Sequence, residues 1–218
     1  MKILKNMGLI CIIVLLFNGC LDFTRYKSGK VLKTGEVKIT GGEVIVGGDG
    51  ESGSAFILPK IGASFGLVKG VELVVGTNTI SVGAEIRKQV LTEEKNGVNA
   101  TVETGVNGGA VVSFNGGMTF SKTLKNGKEP YFGVHYNKYK QENEYDEFGE
   151  GFIYEEVNFG QLTSLQITAG LKLSFQSGFE LYPEINIYRY TEEHSELSSD
   201  AIILFGVGVG YNLNSDWF

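Results

Sequence analysis

The chain has few of the residues that define several common protein classes. Only three prolines and two cysteines occur in 218 residues, and the cysteines, Cys11 and Cys20, lie close to the N-terminus. Cysteine therefore supplies neither a disulfide framework nor a metal site. The scarcity of proline and the lack of a Gly-X-Y period exclude collagen-like and proline-rich disordered chains. The chain has 19 basic and 25 acidic residues, and the basic residues form no cluster, so nucleic acid is not an expected partner.

Glycine, in contrast, is abundant. The chain contains 31 glycines, which is about twice ordinary usage. Hydrophobic residues make up 42% of the sequence and aromatic residues 11%. That composition can bury a core or face lipid, so it predicts a folded chain. What the glycines do has to be inferred from their positions.

The first twenty residues resemble a secretory signal peptide. Two lysines precede an apolar run over residues 7–17, which is too short to span a bilayer as a helix. The five residues ending at Cys20, Leu-Phe-Asn-Gly-Cys, resemble a bacterial lipobox, in which the cysteine is acylated and becomes the new N-terminus. Gly19 fits that motif, whereas Phe17 and Asn18 depart from it. The resemblance implies a signal peptide over residues 1–19 and lipidation at Cys20; a plain secreted protein is the alternative.

From Ile57 onward, and with a change of phase in an earlier segment at 36–46, apolar and polar residues alternate, as they do in strands with two unlike faces. The alternation is clearest over 80–90, 98–106 and 165–175. Together with weaker runs it predicts ten strands, at 36–46, 57–65, 71–77, 80–90, 98–106, 110–122, 131–140, 165–175, 179–189 and 202–213. The number falls to eight if two weak runs merge or fail. A change of phase across Gly41 and Gly42 suggests a β-bulge.

Two architectures use such alternation: a soluble barrel or sandwich with its apolar face inside, and a membrane barrel with its apolar face outside. Strand length favours the membrane barrel, because strands that cross a bilayer need about nine to eleven residues. The polar faces are rich in small residues, which suits a crowded lumen: Gly62, Gly83, Gly105, Gly117, Gly133, Gly170, Gly206, Gly208 and Gly210. Ten strands would also place every clearly long loop at one end and four short turns, at 68–70, 93–97, 125–129 and 176–178, at the other.

Residues 36–218 therefore resemble the bacterial outer-membrane β-barrel class. The last strand, with Gly206, Val209, Tyr211 and Leu213, is similar to the C-terminal signal recognised by the barrel assembly machinery. The resemblance implies an all-β fold, a single antiparallel transmembrane β-barrel of about ten strands surrounded by outer-membrane lipid, without a cofactor or metal. Residues 20–35 are expected to form a tether, with the lipid anchor on the periplasmic side. A soluble, lipid-anchored β-barrel is the structural alternative.

If the apolar face meets lipid, the opposite face should line a lumen. The candidate lumen residues are Lys60, Glu72, Glu85, Arg87, Glu103, His135, Lys172, Glu180 and Glu184. Two functions follow. The lumen can be a small, weakly cation-preferring channel for ions or small solutes, in which Glu180 and Glu184 bias the field. It can instead be plugged by salt bridges and hydrogen bonds, which would make the protein a structural component of the envelope.

The two longest loops are acidic and partly aromatic. Candidate residues for binding a partner there are Glu144, Asp146, Glu147, Phe148 and Tyr154, and neighbouring aromatics include Tyr139, Tyr145 and Phe152. A solvated charge run is one interpretation, and a surface for binding or adhesion is the alternative function. The spacing of the acids matches no defined metal loop. Catalysis is not expected, because no catalytic motif accompanies His135 or His194.

Overall fold

The computed structural model describes residues 25–46, 56–78, 81–109, 112–140, 162–191 and 201–213. They form ten strands and one short helix: β1 (Val37–Val46), β2 (Phe56–Val68), β3 (Val71–Asn78), β4 (Ser81–Leu91), α1 (Glu93–Asn96), β5 (Asn99–Gly109), β6 (Val112–Ser121), β7 (Glu129–Lys140), β8 (Leu162–Ser174), β9 (Phe179–Thr191) and β10 (Ile202–Leu213). Each strand pairs antiparallel with its sequence neighbours, and β10 pairs with β1 to close a barrel. The all-β fold and the count of ten strands are confirmed.

The strand register corrects one expectation about β1. Its pairing runs unbroken from Val37 to Val46 against both β10 and β2, so Gly41 and Gly42 form no bulge. The sequence pattern changes phase there because the exposed Glu43 is in register with Val37 and Ile39, whereas the apolar Val44 and Val46 are in register with Lys38 and Thr40. Irregular pairing occurs instead at Gly66/Val68 and Gln89/Leu91, next to connections between strands.

The two faces of the barrel wall have opposite polarity. Large apolar side chains cover the outside, and Ile86, Phe114 and Phe205 remain more than half exposed. Inside, Gln166 and Asn186 are completely buried. A soluble protein rarely exposes a continuous apolar surface of more than a few hundred Å², whereas a barrel in lipid is apolar outside and polar inside. The barrel is therefore a transmembrane one, and the soluble alternative is wrong.

The two ends of the barrel differ in their connections. One end, called here the short-turn end, carries the β2–β3, β4–β5, β6–β7 and β8–β9 connections, the longest of which spans seven residues. The opposite end carries the three longest connections, β7–β8, β9–β10 and β1–β2, of 21, 10 and 9 residues, together with the two-residue β3–β4 and β5–β6 connections. In outer-membrane barrels the short turns face the periplasm. Among the described residues, no helix is long and apolar enough to span a membrane.

Candidate functional site

The lumen is occupied by the chain's own N-terminal residues. Residues 25–33, called here the N-terminal segment, precede β1 and enter the barrel from the short-turn end. There Gly35 donates its N–H to the carbonyl of Gly66 at 2.8 Å, and Leu32 donates to the Glu72 carboxylate at 3.0 Å. Further in, the Thr101 hydroxyl donates to the carbonyl of Gly29 at 2.6 Å. Residues 25–33 of the expected tether thus lie in the lumen, surrounded by the barrel wall.

At the inner end of the segment, two basic side chains share one wall carboxylate. Arg25 Nη1 lies 2.9 Å from Glu85 Oε2, and Lys27 Nζ lies 2.8 Å from Glu85 Oε1. The other terminal nitrogen of Arg25 donates to Asn137 at 3.2 Å and, more weakly, to Gln166 at 3.4 Å. Arg25 is only 2% exposed. A charge this deeply buried requires such partners, because it has left water.

A second wall carboxylate binds the backbone of the segment. The main-chain N–H groups of Arg25 and Tyr26 each donate to Glu184 at 2.8 Å, one to each oxygen. The Tyr131 hydroxyl and the Asn186 amide also donate to Glu184, at 2.8 and 2.7 Å. Glu184 thus accepts four hydrogen bonds, two of which come from the N-terminal segment. Hydrogen bonds to a charged group are stronger than neutral ones, so this carboxylate is a firm anchor.

Glycine on the wall makes room for the aromatic ring of Tyr26. Gly42 of β1 and Gly208 of β10 are register partners, and the Tyr26 ring lies against both of them. A Cβ added at either glycine would overlap the ring. The Tyr26 hydroxyl then donates to the carbonyl of Glu43 at 2.7 Å. Tyr26 itself has a φ of 48°, which is strained for a residue with a side chain.

The same arrangement recurs elsewhere in the lumen. The His135 ring lies against Gly117 and Gly133, and the Tyr131 ring lies against Gly170, so a Cβ at these glycines would also meet a ring. Glycine inside a strand weakens it but is tolerated where another group must approach closely. The surplus of glycine in the sequence therefore supports a filled lumen rather than a wide one.

A buried charge network surrounds Arg87 of β4. Its guanidinium donates to Glu103 at 2.9 Å and to Glu72 at 3.2 Å, and it also donates to the carbonyl of Ser28 in the N-terminal segment. Glu103 in turn pairs with His135. The segment is therefore attached to this network as well as to Glu85 and Glu184.

A third group of charges lies near the short-turn end. Lys172 contacts Glu180 at 2.9 Å and Glu129 at 3.5 Å, and Lys38 lies 3.6 Å from Glu180. Tyr182 donates to Glu180 and accepts a hydrogen bond from Lys38 at 3.1 Å. Glu180, expected to bias an open channel, is therefore compensated by two ammonium groups.

The structure places all nine candidate lumen residues on the inward face of the wall. Eight of them belong to the ion pairs and hydrogen bonds described above, and Lys60 lines a cavity beside Lys27. Sequence reasoning missed Lys38 and Glu129, although both are in phase with inward neighbours. It also missed Arg25 and Lys27, which precede the alternating pattern. Cys20 and the outer-loop candidates Glu144, Asp146, Glu147, Phe148 and Tyr154 lie outside the described residues. Tyr139 faces the lumen, where it contacts Ser164.

The inward charges of the described wall balance when the two buried basic residues of the segment are counted with them, whereas its other two basic residues, Lys30 and Lys33, are exposed. Six carboxylates face inward, at Glu72, Glu85, Glu103, Glu129, Glu180 and Glu184, against four basic groups, at Lys38, Lys60, Arg87 and Lys172. Arg25 and Lys27 supply the two missing positive charges. This agreement matters because uncompensated charge is costly in an interior of low dielectric constant.

Two cavities border the N-terminal segment. The one toward the long-loop end has a volume of about 30 Å³ and is lined by Lys27, Lys60, Glu85 and Asn115, among others. That volume is in the range that a single water molecule needs. The other, of about 750 Å³, lies at the short-turn end around Lys30, Leu32 and Lys33.

Comparison with known proteins identifies no family. No protein-family profile matches the chain, and no curated protein matches it. Among solved structures, the N-terminal β-barrel domain of Pseudomonas aeruginosa OprF is 16% identical, with 84% of this chain and 100% of that chain covered and a TM-score of 0.40. The Yersinia pestis outer membrane protein Ail is 13% identical, with 82% and 99% covered and a TM-score of 0.40. The β domain of the Bordetella autotransporter BrkA is 12% identical, with 83% and 100% covered and a TM-score of 0.42. These likenesses concern the fold alone.

The geometry of the chain itself defines its class. A closed antiparallel barrel with an apolar outside, a polar inside and its long loops at one end is a bacterial outer-membrane β-barrel. Within that class, this barrel contains part of its own N-terminus in the lumen.

Proposed function

We propose that the protein is a structural β-barrel of the outer membrane whose lumen is kept closed by its N-terminal segment. The observation that supports this most strongly is the burial of Arg25, Tyr26 and Lys27 inside the barrel. Ten strands enclose only modest space beyond their own side chains. A peptide that occupies part of this space and bonds to several strands narrows any water path for an ion.

The number and kind of hydrogen bonds between the N-terminal segment and the barrel wall support a lumen that is stably closed rather than transiently blocked. The segment makes hydrogen bonds to the wall through Glu184, Glu85, Glu72 and Thr101, and most of them involve a charged group. Bonds to charged groups contribute about 1.5–3 kcal/mol each. Several of them together hold the docked segment against the chain entropy that it would gain on release.

Catalysis has no part in this proposal. His135 is buried, its ring is enclosed by Gly117 and Gly133, and its Nε2 contacts Glu103. A general base must reach a substrate proton directly or through one water. Among the described residues, no three potential metal ligands lie together either.

Conductance in a planar bilayer tests the proposal. The wild-type protein should give no discrete steps, because the lumen is closed. The matched variant is Gly29→Val: a Cβ at Gly29 would come within 2.9 Å of backbone atoms of Asn99, Thr119 and Ser121, so the segment must shift. Gly108→Val is the control, because nothing lies within 4 Å of a Cβ there.

We expect steps from Gly29→Val and none from the wild type or Gly108→Val. Steps in the wild type at the same frequency as in Gly29→Val would support the alternative function, a passive channel for ions or small solutes. Discrete steps from the wild type would contradict a closed barrel.

The lipid anchor is a separate proposal that interacts with this one. Cys20 precedes Arg25 by five residues, which can span at most about 17 Å. Nine residues, from Arg25 to Lys33, lie between the inner end of the segment and the short-turn end. A lipid on Cys20 that enters the periplasmic leaflet would therefore limit how far residues 25–28 can extend into the lumen. Intact-mass measurement of the mature protein determines whether Cys20 carries a lipid.

A further inference from the structure

We propose that the lumen is a binding site for short cationic peptides that have an aromatic residue between two basic ones, and that Arg25, Tyr26 and Lys27 occupy it as an intramolecular ligand. This goes beyond the closed-barrel function, because it assigns the wall a recognition chemistry that a peptide on another chain could also satisfy. Three separate groups of wall residues provide this recognition.

The first group recognises peptide backbone. Glu184 accepts the main-chain N–H of two consecutive residues, Arg25 and Tyr26, at 2.8 Å each. Its orientation is fixed by Tyr131 and Asn186, which donate to the same carboxylate from the wall. Any peptide with two adjacent N–H groups can make these bonds, so Glu184 binds a peptide without selecting its side chains.

The second group selects basic side chains. Glu85 lies between the positions of the first and third residues and contacts both Arg25 and Lys27. The amide oxygens of Asn137 and Gln166 accept from the other arm of the guanidinium. Acceptors on two sides of a planar donor suit arginine better than lysine at the first position. The inward face of the described wall has two more negative than positive charges, which disfavours the binding of neutral and acidic peptides.

The third group selects an aromatic ring at the middle position. The paired glycines Gly42 and Gly208 leave a flat area of wall against which the Tyr26 ring lies. The carbonyl of Glu43 accepts the phenol hydroxyl at 2.7 Å. The wall therefore contains an apolar area with one hydrogen-bond acceptor at its edge, which fits tyrosine.

A competing peptide has an entrance at the short-turn end. The cavity there measures about 750 Å³ and surrounds Lys30, Leu32 and Lys33, where the segment leaves the lumen. We therefore infer exchange from the short-turn side, which faces the periplasm in barrels of this class.

Binding of a synthetic peptide to full-length protein tests this inference. The receptor is the full-length Arg25→Gln/Lys27→Gln variant in detergent, which keeps every wall residue but removes the charges of the internal ligand. The probe is a fluorescent peptide with the sequence of residues 24–34, and the readout is its fluorescence polarisation. We expect saturable binding with a Kd at least tenfold lower than for the wild type, whose site is occupied.

Three controls separate recognition from nonspecific attraction. A peptide with glutamine in place of Arg25 and Lys27 should bind at least tenfold more weakly. Adding Glu85→Gln to the receptor should weaken the native peptide by a similar factor. If the double variant does not fold, full-length Gly29→Val serves as receptor, because it displaces the segment and leaves the wall and its charges intact.

The inference is overturned if neither receptor binds the probe saturably, or if the glutamine peptide binds equally well. That result is distinct from failure of the closed-barrel proposal, which would appear as conductance of the wild type. A silent wild type with no peptide binding would leave the lumen as a closed structural core and nothing more.

Discussion

Replacing Arg25 with methionine should loosen the N-terminal segment by a calculable amount. Methionine keeps an unbranched stem but removes the guanidinium, which donates to Glu85, Asn137 and Gln166. Glu85 keeps its bond to Lys27 at 2.8 Å, so the full cost of an orphaned buried charge, about 3–5 kcal/mol, does not apply. The loss is closer to one charge-assisted hydrogen bond, about 1.5–3 kcal/mol, with about 1 kcal/mol more for the amides left unpaired.

A loss of about 2.5–4 kcal/mol corresponds to a shift of about 60- to 700-fold toward the released segment. Hydrogen exchange of the backbone amides of residues 25–33 measures this equilibrium directly, because the N–H groups of Arg25 and Tyr26 are protected only while they donate to Glu184. The control is Arg189→Met, an exposed arginine on the outer face of β9. Protection that changes less than threefold in Arg25→Met, or equally in the control, would refute the reasoning.

Three further predictions concern the wall, the barrel and its periplasmic turns. Gly208→Ala should raise the amide exchange rate of the N-terminal segment at least tenfold, because the new Cβ overlaps the Tyr26 ring. Gly41→Ala is the control and should not raise that rate, because a Cβ there makes only an ordinary contact at 3.7 Å. Equal effects of the two variants would argue against contact between the Tyr26 ring and Gly208. The purified protein should migrate differently on gels before and after boiling, and identical migration would count against a membrane barrel. Hydrogen bonds from Thr123, and then from Asn99, lower the pKa of Glu93 below its ordinary value of 4.5. The attachment of α1 to the β6–β7 turn should therefore be intact above that pH and weaken as the pH falls through the lowered pKa. The measurement is the hydrogen exchange rate of the Thr123 amide, corrected for the intrinsic effect of pH on exchange. A corrected rate that does not change with pH would contradict the prediction.

The wall of the barrel was predictable because its pattern is local. Each strand alternates with period 2, so the side of every residue follows from its neighbours, and the nine lumen candidates could be identified without a structure. The same rule would have found Lys38 and Glu129, which share a face with Thr40 and Tyr131. The pattern in β1 was obscured, because Glu43 is in register with the outward residues and the apolar Val44 and Val46 are in register with the inward ones.

The occupant of the lumen was not predictable in this way. Residues 25–33 form no strand, so no periodicity marks them, and their partners are far away in sequence: Arg25 and Glu184 are separated by 159 residues. Two indirect signals were present. The inward residues identified from the sequence already included more acids than bases. The inward glycines also implied that bulky groups fill the lumen, and the wall itself has too few bulky inward side chains to do so. Both signals indicate a basic, aromatic insert without showing which segment supplies it.

The most direct test of the account is whether Tyr26 contacts Gly208 in the folded protein. A Cβ at Gly208 would lie within 2.8 Å of three atoms of the Tyr26 ring, which brings the two β-carbons close to the separation of about 3.5–4.5 Å in a disulfide. The variant Tyr26→Cys/Gly208→Cys should therefore form a disulfide, detected as a linked peptide by mass spectrometry. Tyr26→Cys/Gly41→Cys should not, because Gly41 faces outward. Absence of the 26–208 link under oxidising conditions, in protein whose gel migration shows that it is folded, would contradict a segment inside the lumen.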